Sequence, residues 1–160
     1  MWCVLVTVWG MDMSLAQVMG ELAEMDRLEK RADDAIANGD SEGAALSIGK
    51  AALMAGLLAE QETGQNPRLL YQAVETLFRG QEQGYRAIAL FERAGAQPPA
   101  SKGVCQFLVH AAEMVKKSRN ELEALPDDSN ESVEDRRQRH IDSSKEWKDR
   151  LQGLQQDFSC

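Results

Sequence analysis

Aromatic residues are scarce, only 6% of 160 positions, and β-branched runs are nearly as rare, which argues against a β-sandwich. Basic side chains are outnumbered, 18 against 26 acidic, for a net charge of -8. A general nucleic-acid binder releases counterions through an excess of Lys and Arg, so nucleic acid is not an expected partner. Three widely spaced cysteines, Cys3, Cys105 and Cys160, make neither a disulfide framework nor a four-thiolate zinc site. They predict free thiols and, with no recognisable export signal, a cytoplasmic protein. Only four prolines occur. Hydrophobic residues at 43% and charged residues at 28% are ordinary globular values, which excludes wholesale disorder.

Signatures of chemistry are missing as well. Gly80 and Gly84 lack the preceding strand of a phosphate-binding loop. Cys160 ends the chain, so no prenylation box is present. Asn130-Glu-Ser132 fits a glycosylation sequon that has no secretion signal beside it. His110 and Glu113 form one His-x-x-Glu pair, where di-iron bundles use two Glu-x-x-His pairs. Glu21-x-x-Glu24 has no acidic partner on the next helix, as a Mg²⁺-dependent pyrophosphohydrolase would require. No cofactor and no metal ligand are assigned. The alternative to a non-enzymatic protein is a helical-bundle enzyme with a carboxylate and His110 metal site. A minor alternative is RNA contact through Arg136, Arg137, Arg139 and His140; this run reads first as a solvated helix face, ringed by acidic residues.

What the sequence does contain is helical period. Residues 1–9, MWCVLVTVW, are far shorter than the ~20 apolar residues of a membrane span and lack the positive start of a signal peptide. Residues 1–13 are taken as an apolar extension: an arm over a groove, a partner-binding tail, or a stretch upstream of a start at Met11 or Met13. The prolines, Pro67, Pro98, Pro99 and Pro126, fall between periodic segments, where they interrupt no helix.

The first helix is expected over about 14–38, burying Leu15, Val18, Leu22, Met25, Leu28, Ala32, Ala35 and Ile36, with Gly39 as its stop and Asp40 or Ser41 as the next cap. Residues 41–63 are apolar all round, which predicts a helix in the middle of the bundle. Lys50 interrupts that run, so no membrane span is expected. Residues 67–96 read as one long helix or as two joined at Gly80–Gly84, and 101–125 as another helix. After the PDDSN loop, a capping box at Ser132 starts a last helix carrying Trp147, Leu151, Leu154 and Phe158. The fold class is all-α, an antiparallel bundle of about five helices: a core over 14–125, then a loop and a C-terminal amphipathic helix over 126–160. That last helix is either a core element or a docked arm.

Residues 67–99 resemble a tetratricopeptide-type helical hairpin: Tyr71, Val74 and Phe78 fit its first helix, Ala87, Ile88, Phe91 and Ala94 its second, and Pro99 its terminal proline. Residues 28–51 are a fainter likeness, with Leu28, Ala32 and Ala35 before the Gly39-Asp40 turn and Ala44, Ile48 and Ala51 after it. The resemblance implies stacked hairpins that offer Gln72, Thr76 and Arg79, and from the fainter unit Asp26, Glu29 and Asp33, to a peptide. The long helices and acidic chain also resemble small bacterial export chaperones in layout. The expected function is a protein-protein interaction module, adaptor or chaperone-like, with a protein or peptide partner and a possible homodimer.

Overall fold

The structure, a computed structural model, describes the backbone of residues 9–160 and the side chains of residues 17–160. The expectations for residues 1–8 lie outside the described residues. Five helices follow one another: α1 (Trp9–Ala37), α2 (Ser41–Gln61), α3 (Gln65–Arg93), α4 (Lys102–Ala124) and α5 (Glu131–Asp157). The all-α, five-helix architecture is as expected, and no strand occurs among the described residues.

Local chemistry sets the helix ends. Asn38 ends α1, and the next two residues reach back, Gly39 N–H to Ile36 O at 3.0 Å and Asp40 N–H to Ala35 O at 2.9 Å. Gly39 takes φ +78° there, a left-handed conformation that glycine adopts without Cβ conflict. Asp40 then caps α2, its carboxylate accepting from Gly43 N–H at 2.8 Å. Gly95 and Ala96 close α3 in the same way, onto Glu92 O and Phe91 O. Ser101 caps α4. Asn130, not Ser132, caps α5: its side-chain oxygen accepts from Ser132 N–H at 3.1 Å, so the cap lies two residues before the expected one. At the other end of the chain, α1 begins at Trp9, inside the segment read as an extension.

The centre of the bundle is α3, not α2. Helices α2, α4 and α5 all pack on α3, whereas α2 packs on α1 and α3 only. The alanines of α2 are buried, but Leu46, Leu53 and Leu57 face out. An all-round apolar helix is thus satisfied on two sides and open on the third. It is also long and apolar enough to cross a membrane, although half of its most apolar window is buried within the fold.

Residues 65–93 form one uninterrupted helix. Tyr71, Val74, Phe78, Ala87, Ile88 and Phe91 therefore share a single helix instead of dividing between two arms, while residues 28–51 do form a hairpin about Gly39–Asp40. Gly80 and Gly84 are notches, not turns. A Cβ on Gly80 would lie 3.0 Å from Val115 Cγ2 on α4, and one on Gly84 would lie 2.7 Å from Trp147 Cζ3 on α5. Missing side chains let α4 and α5 close onto α3.

Candidate functional site

Among the described residues, several places combine polar groups with enclosure. The first is a seam in which side chains of α1 and α5 meet over α3. The α1 and α5 backbones stay more than 8 Å apart, Cα to Cα, so long side chains span the gap. Buried Arg136 donates to both carboxylate oxygens of Asp26, at 2.7 and 3.2 Å. Arg150 lies over Trp147 and Tyr85, 5.0 and 5.4 Å from the ring centres, and those rings meet edge to face. Arg150 also bounds a cavity of about 220 Å³, together with Glu29, Asp33, Gln81, Ser143, Glu146 and Trp147. Gln81 donates to Ser143 Oγ at 3.2 Å across its floor.

This seam overturns the reading of the basic run as a solvated face. Arg136 turns inward to α1. Arg137 donates to Leu125 O at 3.1 Å and to Asp127 and Glu134, tying down the end of α4. His140 is fully buried, edge to face against Phe78, and neither ring nitrogen has a protein hydrogen-bond partner among the described residues. Burial, then the nearby Arg136 and Arg139, pull its pKa down to about 3, so it is neutral at pH 7. The Glu29 carboxyl is pushed up from 4.5 to about 7 by burial and by Asp33 and Asp26 beside it. Burial also raises Asp33.

The second place is an open groove along the N-terminal half of α3 and the C-terminal half of α4. It measures about 470 Å³ and is bounded by Leu69, Gln72, Glu75, Thr76, Lys117, Glu121, Ala124 and Leu125. Beneath it the two helices are pinned by Ser118, whose hydroxyl donates to Ala73 O at 2.6 Å. The third place, between α4 and α5, is a cleft of about 430 Å³ edged by Lys116, Arg119 and Lys148.

The expected partner-binding residues divide accordingly. Gln72 and Thr76 lie together in the α3–α4 groove. Arg79 is engaged by Glu82 at 3.1 Å and lies outside the residues that bound it. Asp26, Glu29 and Asp33 line up on α1 and face α5, with Asp26 already paired. The fold thus does not join the two sets into one surface. Sequence reasoning missed Leu69, Lys117, Glu121 and Leu125, whose role depends on how α3 and α4 align; a stripe shared between two helices carries no local signal.

His110 and Glu113 lie on the surface, 61% and 73% exposed, with Nδ1 and Oε2 3.8 Å apart. Among the described residues no group of three or more His, Cys, Asp or Glu side chains is placed to hold a metal ion.

The expectation of free thiols is corrected: Cys105 and Cys160 form a disulfide, with Cα atoms 5.4 Å apart. The chain end is brought to the start of α4 by Ala100 N–H bonding Phe158 O at 2.8 Å and by Phe158 stacking on Phe91. A separation of 55 residues conceals this pairing from any reading by spacing.

Comparison with known proteins finds no matching family model, no similar curated protein and no similar solved structure.

Proposed function

We propose that this protein is a non-enzymatic helical interaction module, adaptor or chaperone-like, which takes an amphipathic helix of a partner protein into the α3–α4 groove. The observation that supports the reading is the groove itself: an open channel with Leu69, Ala124 and Leu125 as apolar anchors and Gln72 and Thr76 as uncharged polar groups. Its α2-side edge carries Glu75, whose carboxylate also packs against Gly56, and Glu121 lies beside Lys117 on the other edge; the whole chain is acidic at -8. Both features favour a partner helix with an apolar face and basic flanks, since complementary charge steers encounter and orientation.

Thr76 is suited to such a role. Its hydroxyl is bonded to Gln72 O within its own helix at 3.1 Å, so its methyl group is left for apolar contact. A photo-reactive residue replacing Gln72 tests the proposal in the native cell, with the same residue replacing Lys148 in the α4–α5 cleft as the control. A discrete protein adduct at position 72, absent at 148 and lost when Leu69→Glu is added, is the expected outcome. Adducts that form equally at both positions, or survive Leu69→Glu, contradict it.

A further inference from the structure

The outer face of α2 is unusual for a helix on a bundle's surface. Leu46, Leu53 and Leu57 are 62%, 56% and 44% exposed, and Lys50 and Glu60 are exposed on the same face. Positions 46, 50, 53, 57 and 60 advance by alternating steps of four and three. That spacing is the seam of a two-stranded coiled coil, not the broader stripe of a helix packed on a core. Neither Lys50 nor Glu60 forms an ion pair with another described residue.

We propose that α2 is a self-association seam, pairing antiparallel with α2 of a second copy about a two-fold axis level with Ala55. In this register Lys50 faces Glu60 of the second copy, and Leu53 faces its Leu57. The two-fold axis repeats both contacts, giving two leucine layers flanked by two ion pairs. The layers alternate the two seam positions, as antiparallel coiled coils do.

The charges choose the occupant and the direction. A parallel pairing sets Lys50 against Lys50 and Glu60 against Glu60, like charges in contact. The antiparallel pairing turns both into opposite charges with no other change. A lipid surface would satisfy the leucines but leave Lys50 and Glu60 on the apolar side. Self-complementarity of this kind belongs to a patch that meets its own copy.

The packing beneath the seam leaves it free. Gly49 and Gly56 receive the Glu82 and Glu75 side chains of α3, each with a carboxylate atom 3.0 Å from where a Cβ would sit. Helix α3 is thereby drawn against one flank of α2, while α1 packs on another; Leu53 and Leu57 stay outside both contacts, and Leu46 borders an open cleft with Arg86, Leu90, Arg93 and Phe107.

Sedimentation equilibrium of the full chain, treated with iodoacetamide so that no intermolecular disulfide forms, tests the seam. The wild type is expected to show a concentration-dependent monomer–dimer equilibrium. Lys50→Glu and Glu60→Lys each place like charges at both ends of the seam, weakening the dimer on the order of tenfold or more. The double variant restores it, and an equimolar mixture of the two single variants forms the heterodimer in preference to either homodimer. Circular dichroism confirms that each variant is folded, as expected at exposed positions; Lys50→Gln and Glu60→Gln provide a milder second pair. A wild type monomeric at all concentrations, including one that instead binds lipid vesicles, overturns the proposal. So does a dimer indifferent to these charge exchanges.

Discussion

Glycine in this chain means two different things, and the difference is measurable one residue at a time. Gly84 on α3 is a notch for Trp147 and Leu151, whose atoms would lie 2.7 and 3.2 Å from an added Cβ. Gly84→Ala should destabilise the fold by about 1–3 kcal/mol, because a packed indole has nowhere to retreat. Gly153 sits inside α5 with nothing within 4 Å of its would-be Cβ. Gly153→Ala should stabilise by about 0.5–1 kcal/mol through helix propensity alone. Urea unfolding of both variants checks the pair: equal effects would show that Gly84 is not a packing notch.

The seam carboxylate makes a pH-dependent prediction at the same scale. Glu29 has its pKa raised from 4.5 to about 7 when folded, so between those values the folded state holds a proton that the unfolded state has released. Stability contributed by protonated Glu29 is therefore lost as pH rises through this window. Glu29→Gln removes the loss, leaving the variant more stable than wild type at pH 8 by at most about 3 kcal/mol. His140 acts in the opposite sense: its depressed pKa means that stability is lost as pH falls below its unfolded value of 6.5. Denaturant midpoints of wild type and Glu29→Gln across this range separate the two. Curves that stay parallel at every pH would contradict the desolvation of the half-buried Glu29.

At the scale of elements, α5 is a core helix and its end is stapled. Trp147, Leu151 and Phe158 are buried in the common core. The Cys105–Cys160 bond closes a loop spanning 55 residues, for which chain-entropy arguments give about 2–4 kcal/mol. Cys105→Ser should lower the melting temperature by roughly 5–15 °C for a domain of this size, while helix content below the transition is retained. An unchanged melting temperature would mean that the bond contributes nothing to the fold.

Helix number, polarity and most ends were legible in the sequence because their causes are local. Gly39 and Asp40 terminate and cap within five residues of themselves, and Pro67 falls in a first turn, where its missing N–H breaks no helical bond. What escaped depends on partners distant in sequence. Gly80 and Gly84 resemble a turn until α4 and α5 are present. Arg136 looks solvated until Asp26, 110 residues away, is brought beside it. The exposure of the α2 leucines was hidden for the same reason: residue composition does not say how many sides of a helix find neighbours.

The whole molecule has α3 as its hub and an open α3–α4 groove on one side, the groove proposed to receive a partner's amphipathic helix. The most direct measurement is a set of ¹⁵N–¹H spectra of the full chain, titrated with synthetic amphipathic helices that differ only in the charge of their flanks. Saturable shifts are expected, confined to residues around Leu69, Gln72, Thr76, Lys117, Glu121 and Leu125, stronger for basic than for acidic flanks and abolished by Leu69→Glu. Shifts centred on the α4–α5 cleft or the α1–α5 seam, or no saturable shift with any of the peptides, would contradict it.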